Sequence, residues 1–377
     1  MQISRNGRID WISGLKGLLS VFVFFHHYTL FFYNSILYGT ETGAKTASGI
    51  DVLLATEPYG VILNGNFFVC IFITITSFIF AYKRFGNLYN QNDGLIIFTK
   101  RILLLFLNCF FCVFIYHSIS IIFSFVLSNG YDIERDLNIY STITNLIFYQ
   151  WFSRNSSALG FLWPMTYLLF APIVAYYISS FSNEKRKYIF ILYIILGIGV
   201  KLVDDYYSAF FFGIAIADIY YFNRLNLKER KTLSIIVGVV SIIIGLFLGG
   251  YPSYAQPTNP IYVLLNNSNL KFSYMYLHCI GAGLLLFGLS FFNNRMLSSK
   301  IPLILNNISL EIYLLHSMVI HNFSMPLFNL INKSINNYSL SYILVLAQTF
   351  ILLIFLSFGY KKMITNKINN FVNYIIK

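Results

Sequence analysis

Charge is scarce in this 377-residue chain: Asp, Glu, Lys and Arg together make up 11% of it, where a soluble globular protein carries about a quarter. That shortage, with 57% hydrophobic residues and a mean hydropathy of +0.66, excludes an ordinary water-soluble domain. Acidic residues are the rarer sign, 14 against 26 basic ones, for a net charge of +12. Cysteine is nearly missing. The four present, Cys70, Cys109, Cys112 and Cys279, all lie inside apolar stretches. Cys109 and Cys112 have C-x-x-C spacing, but no loop glycines or second pair accompany them, so they read as packing residues and not as redox or zinc ligands. Also lacking are a repeat of fixed period, a low-complexity tract and a polar stretch long enough for a soluble domain. Arg5 and Arg8 precede an apolar run as in a signal peptide, but that run is too long and no small-residue cleavage site follows it.

What the chain has in abundance is apolar runs. At about 20 residues per crossing, its composition supplies about ten membrane helices. They are expected near residues 12–33, 60–82, 100–127, 158–181, 188–203, 205–222, 233–250, 273–292, 302–322 and 341–360. The fold class is therefore an all-α integral membrane protein of about ten transmembrane helices, one polytopic domain over residues 1–377 with no appended soluble domain. Alternating the loops between two sides puts most basic residues on one face, among them Arg8, Arg84, Arg101, Arg186, Arg230 and Lys362. Only Lys45, Arg135, Arg154, Lys271 and Lys333 fall on the other. This bias predicts cytoplasmic termini. The positive charge then lines a membrane surface in small clusters, and no nucleic-acid partner is expected. The long external loops are 34–59 and 128–157, the second holding the aromatic stretch Thr144 to Phe152, a candidate interfacial or re-entrant segment.

All six histidines, His26, His27, His117, His278, His316 and His321, fall within expected spans. Ionisable groups in a bilayer are costly and usually face a bundle interior, so each is a site candidate. Counting about 1.5 Å per residue from the span ends, the histidines form a layer toward the outer side. Lys16, Lys100, Arg101 and Asp218 lie near the inner boundary, and Glu311 near the middle. Asn64, Asn66, Thr74 and Thr76 read as helix-to-helix glue. In span 1, Lys16 and His27 stand eleven positions apart, about three full turns, and so share one stripe about 16 Å long. His26 points about 80° away from that stripe. A cation at the mouth and an imidazole deep on one face suit a substrate whose anionic end stays at the cytoplasmic boundary. The same pair also fits a snorkelling lysine and a histidine bonded to a neighbouring helix.

Four segments in order resemble the membrane-bound acyltransferase-3 family, which includes O-acetyltransferases of O-antigen, capsule and peptidoglycan. RIDWISGLKGLLSVFVFFHHY (Arg8 to Tyr28) resembles the family's first helix, marked by Arg, ten residues, then His; Lys16 stands in the Arg place and His27 in the His place. FFVCIFITITSFIFAYKR (Phe67 to Arg84) is similar to the F-F-x-x-S-G-F helix, with Ser77 where Gly is usual. FTKRILLLF (Phe98 to Phe106) resembles the basic entry K-R-x-x-R-L-x-P, with Lys100 and Arg101 matching and Leu104 and Phe106 departing. NNISLEIYLLHSMVI (Asn306 to Ile320) is very close to I-S-x-x-I-Y-L-L-H. GFLWPMTYLLFAPIV adds a weaker match to a W-x-x-P helix start.

The resemblance implies transfer of an acyl group, most often acetyl, from cytoplasmic acetyl-CoA to a hydroxyl of a glycan or lipid-linked glycan at the membrane. On that basis Lys16, Lys100 and Arg101 would bind the CoA phosphates, with Lys16 giving up the planar fork of the family's arginine. His27 would act as general base or transient acyl carrier, because imidazole titrates near working pH. Glu311 and His316 complete the catalytic candidates; Glu311 lies about 140° round the helix from His316 and suits a partner on another span. No metal is expected. The abundance of Asn, Ile, Lys, Phe and Tyr fits an AT-rich bacterial genome, which places the protein in a bacterial plasma membrane with a surface or capsular polysaccharide as acceptor. The rival readings are a transporter or flippase for a lipid-linked glycan and, from the histidine layer, a haem protein.

Overall fold

The computed structural model describes residues 9–33, 37, 59–86, 93–127, 163–200, 203–226, 230–250, 274–292 and 294–376. Every element among them is helical, as an apolar surrounding requires of backbone groups that must bond within their own segment. The helices are α1 (Asp10–Phe32), α2 (Gly65–Phe85), α3 (Asp93–Leu127), α4 (Pro164–Ser179), α5 (Ile189–Gly199), α6 (Ser208–Tyr221) and α7 (Lys231–Gly249). They continue with α8 (Tyr274–Leu289), α9 (Lys300–Asn307), α10 (Ser309–Val319), α11 (Met325–Ile335), α12 (Tyr338–Tyr360) and α13 (Asn366–Ile375). Short turns of other pitch precede or join them: Tyr59–Leu63 and Asp205–Tyr207 are 3₁₀ turns, and Ile320–Ser324 and Lys361–Thr365 are π turns.

Each expected span meets a helix, but their lengths differ. Five helical stretches, Asp10–Phe32, Gly65–Phe85, Gly94–Ile119, Lys231–Gly249 and Tyr338–Ile375, are long and apolar enough to cross a membrane, or six if a bent pair counts as one. Others are apolar and short. Ile189–Gly199 has 11 residues, about 16 Å of helix against a hydrocarbon core of about 30 Å.

The straight span expected over 302–322 does not form. Lys300–Asn307 and Ser309–Ile335 are bent by 68° at Ile308, whose φ of −117° and ψ of 17° leave the helical range. The asparagines before the break explain it in part, because their side chains compete for backbone bonds. Lys361 Nζ bonds both the Asn307 carbonyl and, at 2.7 Å, its Oδ1, occupying an acceptor that a continuous helix would use itself.

Membrane packing shows in which residues are inside. On α7 the buried residues are Gly238, Ser241, Gly245 and Gly249, all small, while Ile235, Ile236, Val239, Val240, Ile243 and Ile244 face outward. A β-carbon at Gly245 would stand 2.7 Å from the Leu285 nitrogen and 2.8 Å from the Gly281 carbonyl, so α7 and α8 meet backbone to backbone. In lipid, close van der Waals contact of this kind replaces the hydrophobic drive for helix association.

The chain forms two compact units, Met1–Gly94 with Phe170–Asn306, and Leu95–Leu169 with Asn307–Lys377. In the first, α2 is central and packs on α1, α6 and α8. At the end of α6, Asp218 and Arg224 are both buried and paired through two nitrogens, at 2.9 Å and 3.2 Å. Arg224 also donates to the carbonyls of Asn183 and Glu184, so four of its five N–H donors are bonded, the support that a buried charged pair needs. In the second unit, α10 and α11 pack on α12.

Candidate functional site

The C-terminal end of α1 brings two histidines against the start of α2. His26 is 8% exposed, and its Nδ1 donates to the Leu63 carbonyl at 2.6 Å. That carbonyl belongs to the 3₁₀ turn leading into α2. The His27 ring stands edge-on to it, with centroids 5.1 Å apart and planes at 68°, and is half-buried. His26 fits there because α2 begins with glycine: a β-carbon at Gly65 would collide with the imidazole. Phe22 of α1 stacks on Phe68 of α2 at 5.3 Å, fixing the two helices below this junction.

Asn64 ties the same junction to two further helices. Its Oδ1 accepts from the Phe67 N–H at 3.2 Å as the N-cap of α2. Its Nδ2 donates to the Gly249 carbonyl at the end of α7, 3.0 Å away. The same nitrogen lies 3.1 Å from His278 Nε2 on α8. A carbonyl only accepts and an N–H only donates, so the amide orientation is settled and His278 must present a lone pair at Nε2. Asn64 had the sequence signal of a polar residue beside an apolar run, and its role as glue is seen in these bonds. Thr74 and Thr76 differ: their hydroxyls bond the carbonyls of Cys70 and Phe72 one turn back on their own helix.

Lys16 lies on α1 about 16 Å nearer the helix start than His27 and is half-buried. It is bracketed by Gly14 and Gly17, whose α-carbons pack directly on backbone of the Leu297–Asn306 segment. Span 1 therefore holds its two site candidates in the first unit. The close cysteine pair is also there and is not the C-x-x-C one: Cys279 Sγ is 3.5 Å from Cys70 Sγ, whereas Cys112 donates to the Leu314 carbonyl at 3.1 Å.

Lys100, Arg101, Glu311 and His316 belong to the second unit. Glu311 is not at mid-helix, as expected from a straight span, but in the first turn of α10. Its own backbone N–H, the Thr365 hydroxyl and Lys361 all lie in electrostatic reach of its carboxyl. Thr365 Oγ1 donates to Asn108 Oδ1 at 3.0 Å, Asn108 donates to the Leu104 carbonyl, and the Tyr360 hydroxyl donates to the Asn108 carbonyl at 2.7 Å. Asn108, Tyr360 and Thr365 went unnoticed in the sequence, although an asparagine inside LLFLNCFF was the available signal. His316 Nδ1 donates to the Tyr313 carbonyl at 2.6 Å. It lies about 10 Å along its helix from Ser309, in the last turn of α10. Arg101 Nε donates to the Leu168 carbonyl at 3.0 Å, and Lys100 is half-buried. Among the described residues, no group of three or more His, Cys, Asp or Glu comes together to hold a metal ion.

Chemically, the first unit offers an imidazole whose Nδ1 proton is held by a backbone carbonyl, beside a helix start that Asn64 caps. An imidazole so held suits proton transfer. A family model described as an acyltransferase domain matches residues 9–360. No curated protein and no solved structure matches the chain.

Proposed function

We propose, from the premise that the chain belongs to the acyltransferase-3 family and is a multi-pass membrane acyltransferase, that it is a bacterial O-acetyltransferase. In this reading it carries acetyl from cytoplasmic acetyl-CoA to a hydroxyl of a cell-surface or capsular polysaccharide, or of its lipid-linked precursor. Ten helical crossings of the plasma membrane, with both termini in the cytoplasm, belong to the same reading. Lys16, Lys100 and Arg101 serve as cations for the donor's phosphates. His27, Glu311 and His316 serve as the catalytic candidates. The observation that carries the proposal is helix α1, with Lys16 in its second turn and a pair of imidazoles about 16 Å further along. Such a helix can hold the charged part of a CoA thioester near the inner surface while its acyl end reaches groups able to accept a proton.

The test is O-acetyl content of the cell's glycans by NMR in three strains: wild type, a deletion, and His27→Ala at matched protein level. Loss of the acetyl signal in both altered strains, with polymer still exported, supports the proposal. Unchanged acetylation with polymer or precursor trapped inside the cell overturns it in favour of a transporter.

A further inference from the structure

The loop between α4 and α5 has no part in the acyl-transfer reading, yet it is braced more firmly than a solvated connection requires. It carries three exposed cations in a row, Lys185, Arg186 and Lys187, with Glu184 as its one acidic residue. Arg224, itself buried and paired with Asp218, donates to the Asn183 and Glu184 carbonyls just before them. The Arg186 N–H meets both the carbonyl and the Oδ1 of Asn183, at 3.2 Å and 3.0 Å. Its guanidinium reaches back to the Phe181 carbonyl at 3.0 Å. Tyr193 of α5 bonds Ser182 and the Ile178 carbonyl, so the loop is tied to both of its helices and to the end of α6. A buried ion pair is costly to place, and here it holds the backbone beneath a cluster of positive charge.

Beside these cations the surface turns apolar. Tyr188 is 67% exposed and Phe181 also faces outward, aromatic residues of the kind that sit at the headgroup level of a bilayer. Lys187 Nζ stands 5.8 Å over the Tyr188 ring. From there α5 turns Ile191, Leu192, Ile195 and Ile198 outward and Tyr193 and Gly197 inward, where a β-carbon at Gly197 would stand 2.8 Å from the Phe212 ring of α6. The 11 residues of α5 make about 16 Å of helix, the depth of one leaflet in a hydrocarbon core of about 30 Å. We propose that this edge of the first unit is a binding site for an anionic phospholipid of the surrounding bilayer. Its headgroup phosphate lies on Lys185, Arg186 and Lys187, its glycerol level with Tyr188, and its acyl chains along the outward face of α5. Arg224 is a positioning residue, since it holds the loop carbonyls and not the lipid. Charge and length select the occupant: a soluble anion leaves the isoleucines uncovered, and a neutral lipid leaves the cations unanswered.

The test is thermal unfolding of the full chain in detergent, titrated with phosphatidylglycerol or with phosphatidylcholine of the same acyl chains, since a ligand of the folded state raises the midpoint. Wild type reaches the same rise with about tenfold less phosphatidylglycerol than phosphatidylcholine, or less still. Lys185→Gln, Arg186→Gln and Lys187→Gln made together bring the two lipids within about threefold of each other. The midpoint in detergent alone stays near wild type, because all three side chains are exposed. Lys185→Gln with Lys187→Gln, which spares the Arg186 bond to Phe181, narrows the preference by about threefold or more and serves where the triple variant does not fold. As a control, Arg230→Gln, Lys231→Gln and Arg295→Gln together remove the same charge from three other exposed positions of the first unit and keep the preference. Equal response of wild type to the two lipids overturns the proposal, as does a loop variant that keeps the preference. A control that loses it as the loop variant does assigns the effect to surface charge at large and also overturns the proposal. Inorganic phosphate at the same concentration leaves the midpoint in place; a rise matching that of phosphatidylglycerol makes the loop a soluble-anion site and overturns the lipid assignment.

Discussion

The two units anchor polar side chains on backbone alike but bury their helices to different extents. In the first, His26 and Asn64 bond carbonyls at helix boundaries, Leu63 and Gly249. In the second, Asn108 bonds the Leu104 carbonyl and Tyr360 the Asn108 carbonyl, and a side-chain pair, Thr365 with Asn108, joins them. Of the apolar stretch of Gly65–Phe85, 78% is buried, against 22% for Tyr338–Ile375. A carbonyl at the end of a packed helix cannot rotate to suit a new partner, whereas hydroxyl and amide side chains can. The first unit is therefore built to hold one geometry, and the second tolerates exchange of its parts.

The largest effect that sharpens this contrast is expected from Asn64→Leu. It removes three hydrogen bonds and strands the Gly249 carbonyl and His278 Nε2 in a buried place, a loss of about 3 kcal/mol or more. Thermal unfolding in detergent measures it, and acetyl transfer should fall with it. Gly65→Ala comes next. The added methyl must displace the His26 ring, and overpacking of this sort costs about 1–3 kcal/mol. Its signature is a lowered thermal midpoint together with shifted His26 ring resonances, since the bond to Leu63 must move with the ring. In the second unit, Glu311→Ala should cost about 2 kcal/mol by taking a buried acceptor out of the first turn of α10, but Glu311→Gln, which keeps shape and bonding, should lie within about 1 kcal/mol of wild type. If the glutamine variant is as unstable as the alanine one, the charge of Glu311 is indispensable and the contrast between the units fails.

Much of this was legible in the sequence. Apolar runs give the helices because lipid leaves the backbone no other partner, and the Lys16–His27 stripe follows from helical period alone. The break at Ile308 was hidden. It depends on Lys361 reaching Asn307 from 54 positions away, and no local pattern reports a long-range contact of that kind. The break puts Glu311 in the first turn of a helix and not in the middle of a span, and leaves His316 in the last turn of that helix. The bond from His26 to Leu63 was equally out of reach. Periodicity says that the two neighbouring rings point about 100° apart, but not what either of them meets. The small buried stripe of α7 shows a further limit, since its isoleucines look like a core and turn out to face outward.

Lys361→Met should have the smallest effect, and it tests the cause assigned to the break. If the ammonium group makes the bend by taking the Asn307 acceptors, its removal returns that carbonyl to the chain, and the N–H of Glu311 is the donor four residues on that would complete a helical turn. The helix then gains a bond as the side-chain contact is lost. An exposed ion or hydrogen bond of this kind is worth under about 1 kcal/mol, so unfolding should shift little. The informative readout is local: the spacing between spin labels at positions 301 and 314. In wild type it reports the 68° bend between the two helices. In Lys361→Met it should lengthen toward the value of a straight helix of 13 steps, about 20 Å. A distance that does not change would mean that the asparagine pair makes the break without help. The second unit would then owe its shape to local sequence, as the first owes its shape to packed helix ends.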